Sequence, residues 1–160
     1  MSDSIVVTTK EGKKFTINKK ASEMSLLLKN TGEISDEVIV LNEVDEKSME
    51  LIIKYLNRWK DESPPEIEKP LKSNNMKDVT DSWSADFIDL DLDTLTSLTV
   101  SCNFLEINPL IDLACAKIAS LCKDKDEDEI LKTFGITETF NDEEKKRIRE
   151  ENKWIEENFE

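Results

Sequence analysis

Residues 108–121, Asn-Pro-Leu-Ile-Asp-Leu-Ala-Cys-Ala-Lys-Ile-Ala-Ser-Leu, place apolar side chains around most of the circumference of a helix. A helix of that kind has to be buried on more than one side, which restricts the chain to folds that wrap this element. The end of the chain has the opposite character. Between positions 142 and 160 the apolar residues are Ile148, Trp154, Ile155 and Phe159, and Ile148, Ile155 and Phe159 share one narrow stripe. A helix with so little to bury is weakly tied to its own domain and suits docking onto a partner. Both features ask for something outside the monomer.

Composition removes many functions. The 160 residues carry 36 acidic and 22 basic side chains, a net charge of −14. Nucleic acid and anionic membrane surfaces are therefore not expected partners. There is no histidine, hence no ordinary general base near neutral pH, no histidine-activated nucleophile and none of the commonest metal ligand. No cofactor or metal is expected. Cys102, Cys115 and Cys122 fall in apolar helical patterns and are expected to be small buried hydrophobes. With no signal-like N-terminus and no run of about 20 apolar residues, a reducing cytoplasmic and nuclear setting is expected.

Patterning gives an α+β chain. Residues 5–9 read as a strand and 15–17 as its alternating return across a Glu11-Gly12-Lys13 turn, and 24–30 has helical spacing with Gly32 placed for a left-handed cap. The run 38–41 reads as a strand covered on both faces. Asp45 suits an N-cap for the helix carrying Met49, Ile52, Ile53, Leu56 and Trp59. From 60 to 82 prolines, acids and amides supply little apolar surface, and a mobile acidic insertion is expected. Asp91 or Asp93 starts a further helix, Asn108 before Pro109 reads as the N-cap of the next, and 126–134 forms a short one ended by Gly135. Asn141 and Glu144 resemble a capping box. The acids Asp86, Asp89, Asp91 and Asp93 form a solvated helix start rather than a catalytic pair.

Three ordered stretches are specific: Cys102-Asn103-Phe104-Leu105-Glu106-Ile107 leading to Leu110-Ile111-Asp112; Glu129-Ile130-Leu131-Lys132-Thr133-Phe134-Gly135-Ile136; and Ile148-Arg149-Glu150-Glu151-Asn152-Lys153-Trp154. In these the chain resembles the Skp family, adaptors of cullin-based ubiquitin ligases, over essentially its whole length. The resemblance implies a BTB/POZ fold over 1–123, a small mixed sheet packed with helices and interrupted by the 60–82 insertion. It implies a C-terminal helical extension over 124–160 that binds F-box proteins. By position, Leu41, Val44, Asn103 and Phe104 match the side facing the N-terminal domain of a cullin. Ile111, Cys115, Ile118, Phe134, Ile136, Phe140, Ile148, Asn152, Trp154 and Ile155 match the F-box side. The expected role is a non-catalytic bridge between the two.

Some positions depart from the family pattern. Pro109 replaces a glycine, Phe104 stands where tyrosine is common, and Ile155 replaces a frequent cysteine. Two alternatives stay open: a BTB scaffold that self-associates, as a weak homodimer displaced by a partner, and an adaptor in assemblies other than ligases.

Overall fold

The computed structural model describes residues 3–34, 38–137 and 140–154. Strand β1 (Ser4–Thr9) pairs antiparallel with β2 (Lys14–Asn18), setting Val7 opposite Phe15 and Ile5 opposite Ile17. Gly12, at φ +84°, turns the hairpin in a region where a Cβ is strained. Strand β3 (Ile39–Leu41) adds to β1 in parallel, giving the order β2-β1-β3 in a mixed sheet. β3 thus lies at an edge, and its alternation splits burial: Leu41 is buried while Val40 is 61% exposed. The expectation that 38–41 is covered on both faces is not met.

The helices are α1 (Lys19–Ser22), α2 (Leu26–Ile34), α3 (Glu46–Trp59), α4 (Met76–Val79), α5 (Ser82–Phe87), α6 (Leu92–Phe104), α7 (Asn108–Cys122), α8 (Glu127–Thr133) and α9 (Asp142–Glu151). Asp45 caps α3, accepting from the Ser48 amide at 2.9 Å and from its hydroxyl at 2.8 Å. The three- and four-residue spacing of Met49, Ile52, Leu56 and Trp59 buries one face of α3. That face meets α6, whose Leu95, Leu98 and Cys102 are buried, and α6 packs in turn on α7. Gly32 lies inside α2 rather than at its cap. A Cβ there would sit 3.3 Å from Ile5 Cγ2, so the close approach of helix to sheet explains the glycine. Asn108 is not a cap either. The N-cap is Ile107, with no side-chain bond, and Pro109 falls within the first turn, where its missing N–H is harmless.

The 60–82 segment is seated, contrary to the expectation of a mobile insertion. Ile67 and Met76 are buried, and Leu71 and Val79 pack half-buried on the core. Asn75 caps α4 and Asp81 caps α5. The average hydropathy of the window is low, yet four apolar anchors at 67, 71, 76 and 79 suffice to fix it. In α5, Trp83 and Phe87 stack with ring centroids 5.0 Å apart, and Tyr55 lies 5.7 Å from Phe87. The segment also covers part of α7, and Lys69 Nζ meets Asp112 at 2.8 Å. The second cover that α7 requires therefore comes partly from within the chain.

The chain divides into two compact units, Met1–Asp124 and Lys125–Glu160. The first holds the sheet and α1 to α7; the second holds α8 and α9. No described helix is long and apolar enough to cross a membrane.

Candidate functional site

The C-terminal end of α6 is fixed by backbone bonds. Glu106 N–H donates to Asn103 O at 3.1 Å and Ile107 N–H to Cys102 O at 3.0 Å, with Glu106 left-handed at φ 53°. These are the paired bonds of a Schellman turn. Ser25 ties the turn to the start of α2: its hydroxyl donates to Leu105 O and accepts from Leu28 N–H at 3.2 Å. The turn leaves Asn103 exposed and Phe104 half-buried.

Phe104 then forms, with Leu27, Val38, Ile39, Val40 and Leu41, a groove of about 390 Å³ alongside β3. Val100, one turn before Phe104, is also exposed. Of the sequence-predicted cullin-side residues, Phe104 and Leu41 come together here, Leu41 with almost no exposure, while Asn103 is exposed at the end of α6 outside the groove lining. Val44 does not join them. It is fully buried, and its backbone oxygen accepts from Lys10 N–H at 3.1 Å, so it holds the β3–α3 turn instead of offering a side chain. Val38, Val40 and Val100 were not among the expected site residues. The edge position of β3, a pairing fact that period-two alternation does not supply, exposes the first two.

On α7, Leu110, Leu113 and Ala114 face the core. Ile111, Cys115 and Ile118 follow at four- and three-residue steps on the other side, Cys115 exposed and the two isoleucines half-buried.

In the second unit no described helical side chain is buried. Asp126 and Glu129 form a capping box for α8, and Asn141 and Glu144 one for α9. Gly135, at φ +64°, ends α8, with Ile136 N–H donating to Leu131 O at 2.9 Å. Local bonds, not burial, define these helices. The large apolar side chains that flank them are exposed: Ile136, after α8, is 48% exposed, Phe140, before α9, 60%, and Trp154, after α9, 59%. Phe134 and Ile148 are half-buried. Asn152 closes its own helix, its amide donating to Ile148 O at 2.8 Å. Ile155 lies outside the described residues.

Asp86, Asp89 and Asp91, three of the four acids in the 86–93 run, have structural partners. Asp91 caps α6, and the Thr94 hydroxyl and amide hold its carboxyl below the usual range. Lys117, bonded at 2.8 Å, does the same for Asp89. Asp86 pairs with Lys77 at 3.3 Å. Burial pushes the Cys102 thiol up to about 12, which leaves it inert as a nucleophile. Among the described residues no group of three acidic or cysteine side chains is placed to hold a metal.

A family profile described as "Skp1 family, dimerisation domain" matches residues 108–155. The "S-phase kinase-associated protein 1 homolog" of Tetrahymena thermophila is 41% identical over 142 residues, covering 88% of this chain and 84% of the relative. The chain belongs to the Skp1 family. Two fungal relatives, each named "E3 ubiquitin ligase complex SCF subunit sconC", agree. That of Arthroderma benhamiae is 32% identical over 158 residues, covering 97% of this chain and 96% of the relative. That of Aspergillus clavatus is 32% identical over 161 residues, covering 98% and 100%. The α+β arrangement of the first unit, a small mixed sheet packed with helices, is the BTB/POZ fold of the Skp1 family.

Proposed function

We propose that this Skp1-family chain is the non-catalytic adaptor of a Skp–cullin–F-box E3 ubiquitin ligase. One surface takes the N-terminal domain of a cullin and the other takes F-box substrate receptors. The observation that carries this reading is the state of the second unit: α8 and α9 are fixed by capping boxes, have no fully buried side chain, and are flanked by Ile136, Phe140 and Trp154, each with about half or more of its surface exposed. Large apolar side chains with half or more of their surface in solvent gain most when a partner covers the rest. The SCF-subunit names of the fungal relatives support the same reading.

The residues proposed to contact an F-box are, within the first unit, Ile111, Cys115 and Ile118 and, taken separately within the second, Phe134, Ile136, Phe140, Ile148, Asn152 and Trp154, with Ile155 beyond the described part. Asn152 acts there by ending α9 and so positioning Trp154. The cullin side is Asn103 and Phe104 with the β3 groove, while Val44 supports it from the core. To test this, Asn103→Lys with Phe104→Lys is compared with wild type in pulldowns of purified cullin N-terminal domain and F-box domain. Cullin capture is expected to vanish and F-box capture to persist. Loss of neither, or retention of cullin with loss of F-box, would contradict the assignment.

A further inference from the structure

The seated segment beside α7 leaves a groove of about 230 Å³ between the two. Ile67 and Leu71 form one wall; Cys115, Ala116 and Ala119 form the other. Small side chains on that face of α7 hold the gap open, because neither alanine nor cysteine reaches across to the aliphatic pair. Lys69 and Asp112 bridge the walls with an ion pair at 2.8 Å, both side chains largely solvated. Such a pair contributes little to stability and yields readily to a third charge. Cys115 belongs both to the groove wall and to the outward stripe of Ile111, Cys115 and Ile118. A polypeptide laid along that stripe therefore covers the mouth of the groove, and leaving the groove empty would forfeit contacts on both walls.

We propose that the groove between residues 67–71 and α7 receives one aliphatic or aromatic side chain of the F-box polypeptide, making the 67–71 segment part of that partner's binding surface. The charged groups at the groove are Glu68 and Asp112 against Lys69, within a chain of net charge −14. A lysine or arginine next to the inserted side chain is the complementary neighbour. This proposal rests on the adaptor reading above, and the test separates the two.

Two measurements use purified full-length chain and an F-box domain. Leu71→Asp places a carboxylate in the apolar wall, and Leu71→Ala removes the wall with less strain; melting curves establish that each is folded. Leu71→Asp is expected to weaken F-box binding about tenfold and Leu71→Ala about threefold. With Cys115 and Cys122 left native, the thiol introduced by Leu71→Cys is reacted with N-ethylmaleimide and its modification is read by mass spectrometry of the peptide that carries position 71; buried Cys102 does not compete. Bound F-box domain is expected to slow that alkylation at least about fivefold. Wild-type affinity in both Leu71 variants with unprotected alkylation at position 71 would overturn the groove and leave the adaptor reading intact. No binding of any F-box domain by the wild-type chain would overturn both.

Discussion

Truncating Met76 distinguishes a seated 60–82 segment from a mobile one. Met76 opens α4 with about one-twentieth of its surface exposed, and its backbone oxygen accepts from Thr80 N–H at 3.1 Å. Met76→Ala removes most of an apolar side chain from a site that α4 alone cannot refill. Core truncations of this type span about 2–5 kcal/mol. A site near the edge of the core, where the short α4 can settle inward, belongs at the lower end, about 2 kcal/mol. For the first unit this lowers the melting temperature by roughly 6–10 °C. Differential scanning calorimetry reads that shift, and hydrogen exchange reads the amides of Asp78 and Thr80, which donate within α4. If the segment were mobile, Met76 would contribute nothing. Unchanged melting together with unprotected amides at 78 and 80 would refute the seating.

Val44→Ala should destabilise the first unit by about 2 kcal/mol in denaturant titration, because Val44 is fully buried. A surface role would instead leave the midpoint in place. Acid should unfold the first unit through its caps. Burial opposes ionisation of Asp45 and Asp81, but bonds from Ser48 and Ser84 outweigh it and depress both carboxyls. A depressed carboxyl stabilises the fold above its unfolded value of about 4 and loses that contribution as pH falls through its lower folded value. Asp45→Asn, which keeps the capping oxygen without the charge, should therefore flatten the loss of melting temperature between about pH 5 and pH 2; an unchanged slope would remove Asp45 from the explanation. Gly135→Ala should loosen the end of α8 by about 1 kcal/mol, since alanine is strained at φ +64°, and this would appear as faster exchange of the Ile136 amide.

Much of the fold was legible because its signals are local. The hairpin around Gly12, the N-caps at Asp45 and Asp91, the capping box of Asn141 and Glu144 and the Gly135 terminus follow from neighbouring residues and hold in the structure. What escaped depends on contacts distant in sequence. Gly32 reads as a cap until Ile5 is seen beside it, and residues 38–41 read as doubly covered until β3 is known to be the edge strand. The 60–82 segment fails a window average and is fixed by individual anchors. The same division applies to the site. The exposure of Trp154 follows from a tail with little to bury and that of Ile136 and Phe140 was indicated only through the family resemblance, whereas the burial of Val44 beside exposed Val40 required the sheet order.

The most direct test titrates a purified F-box domain into wild-type chain and into Ile136→Ala, Phe140→Ala and Trp154→Ala by isothermal calorimetry, with melting recorded in parallel. Because all three side chains are about half exposed or more, truncation should change stability by no more than about 0.5 kcal/mol. Lost partner contacts of about 2 kcal/mol at Phe140 or Trp154 should weaken binding roughly thirtyfold. Unfolding of the variants with undiminished affinity per folded molecule would contradict the account.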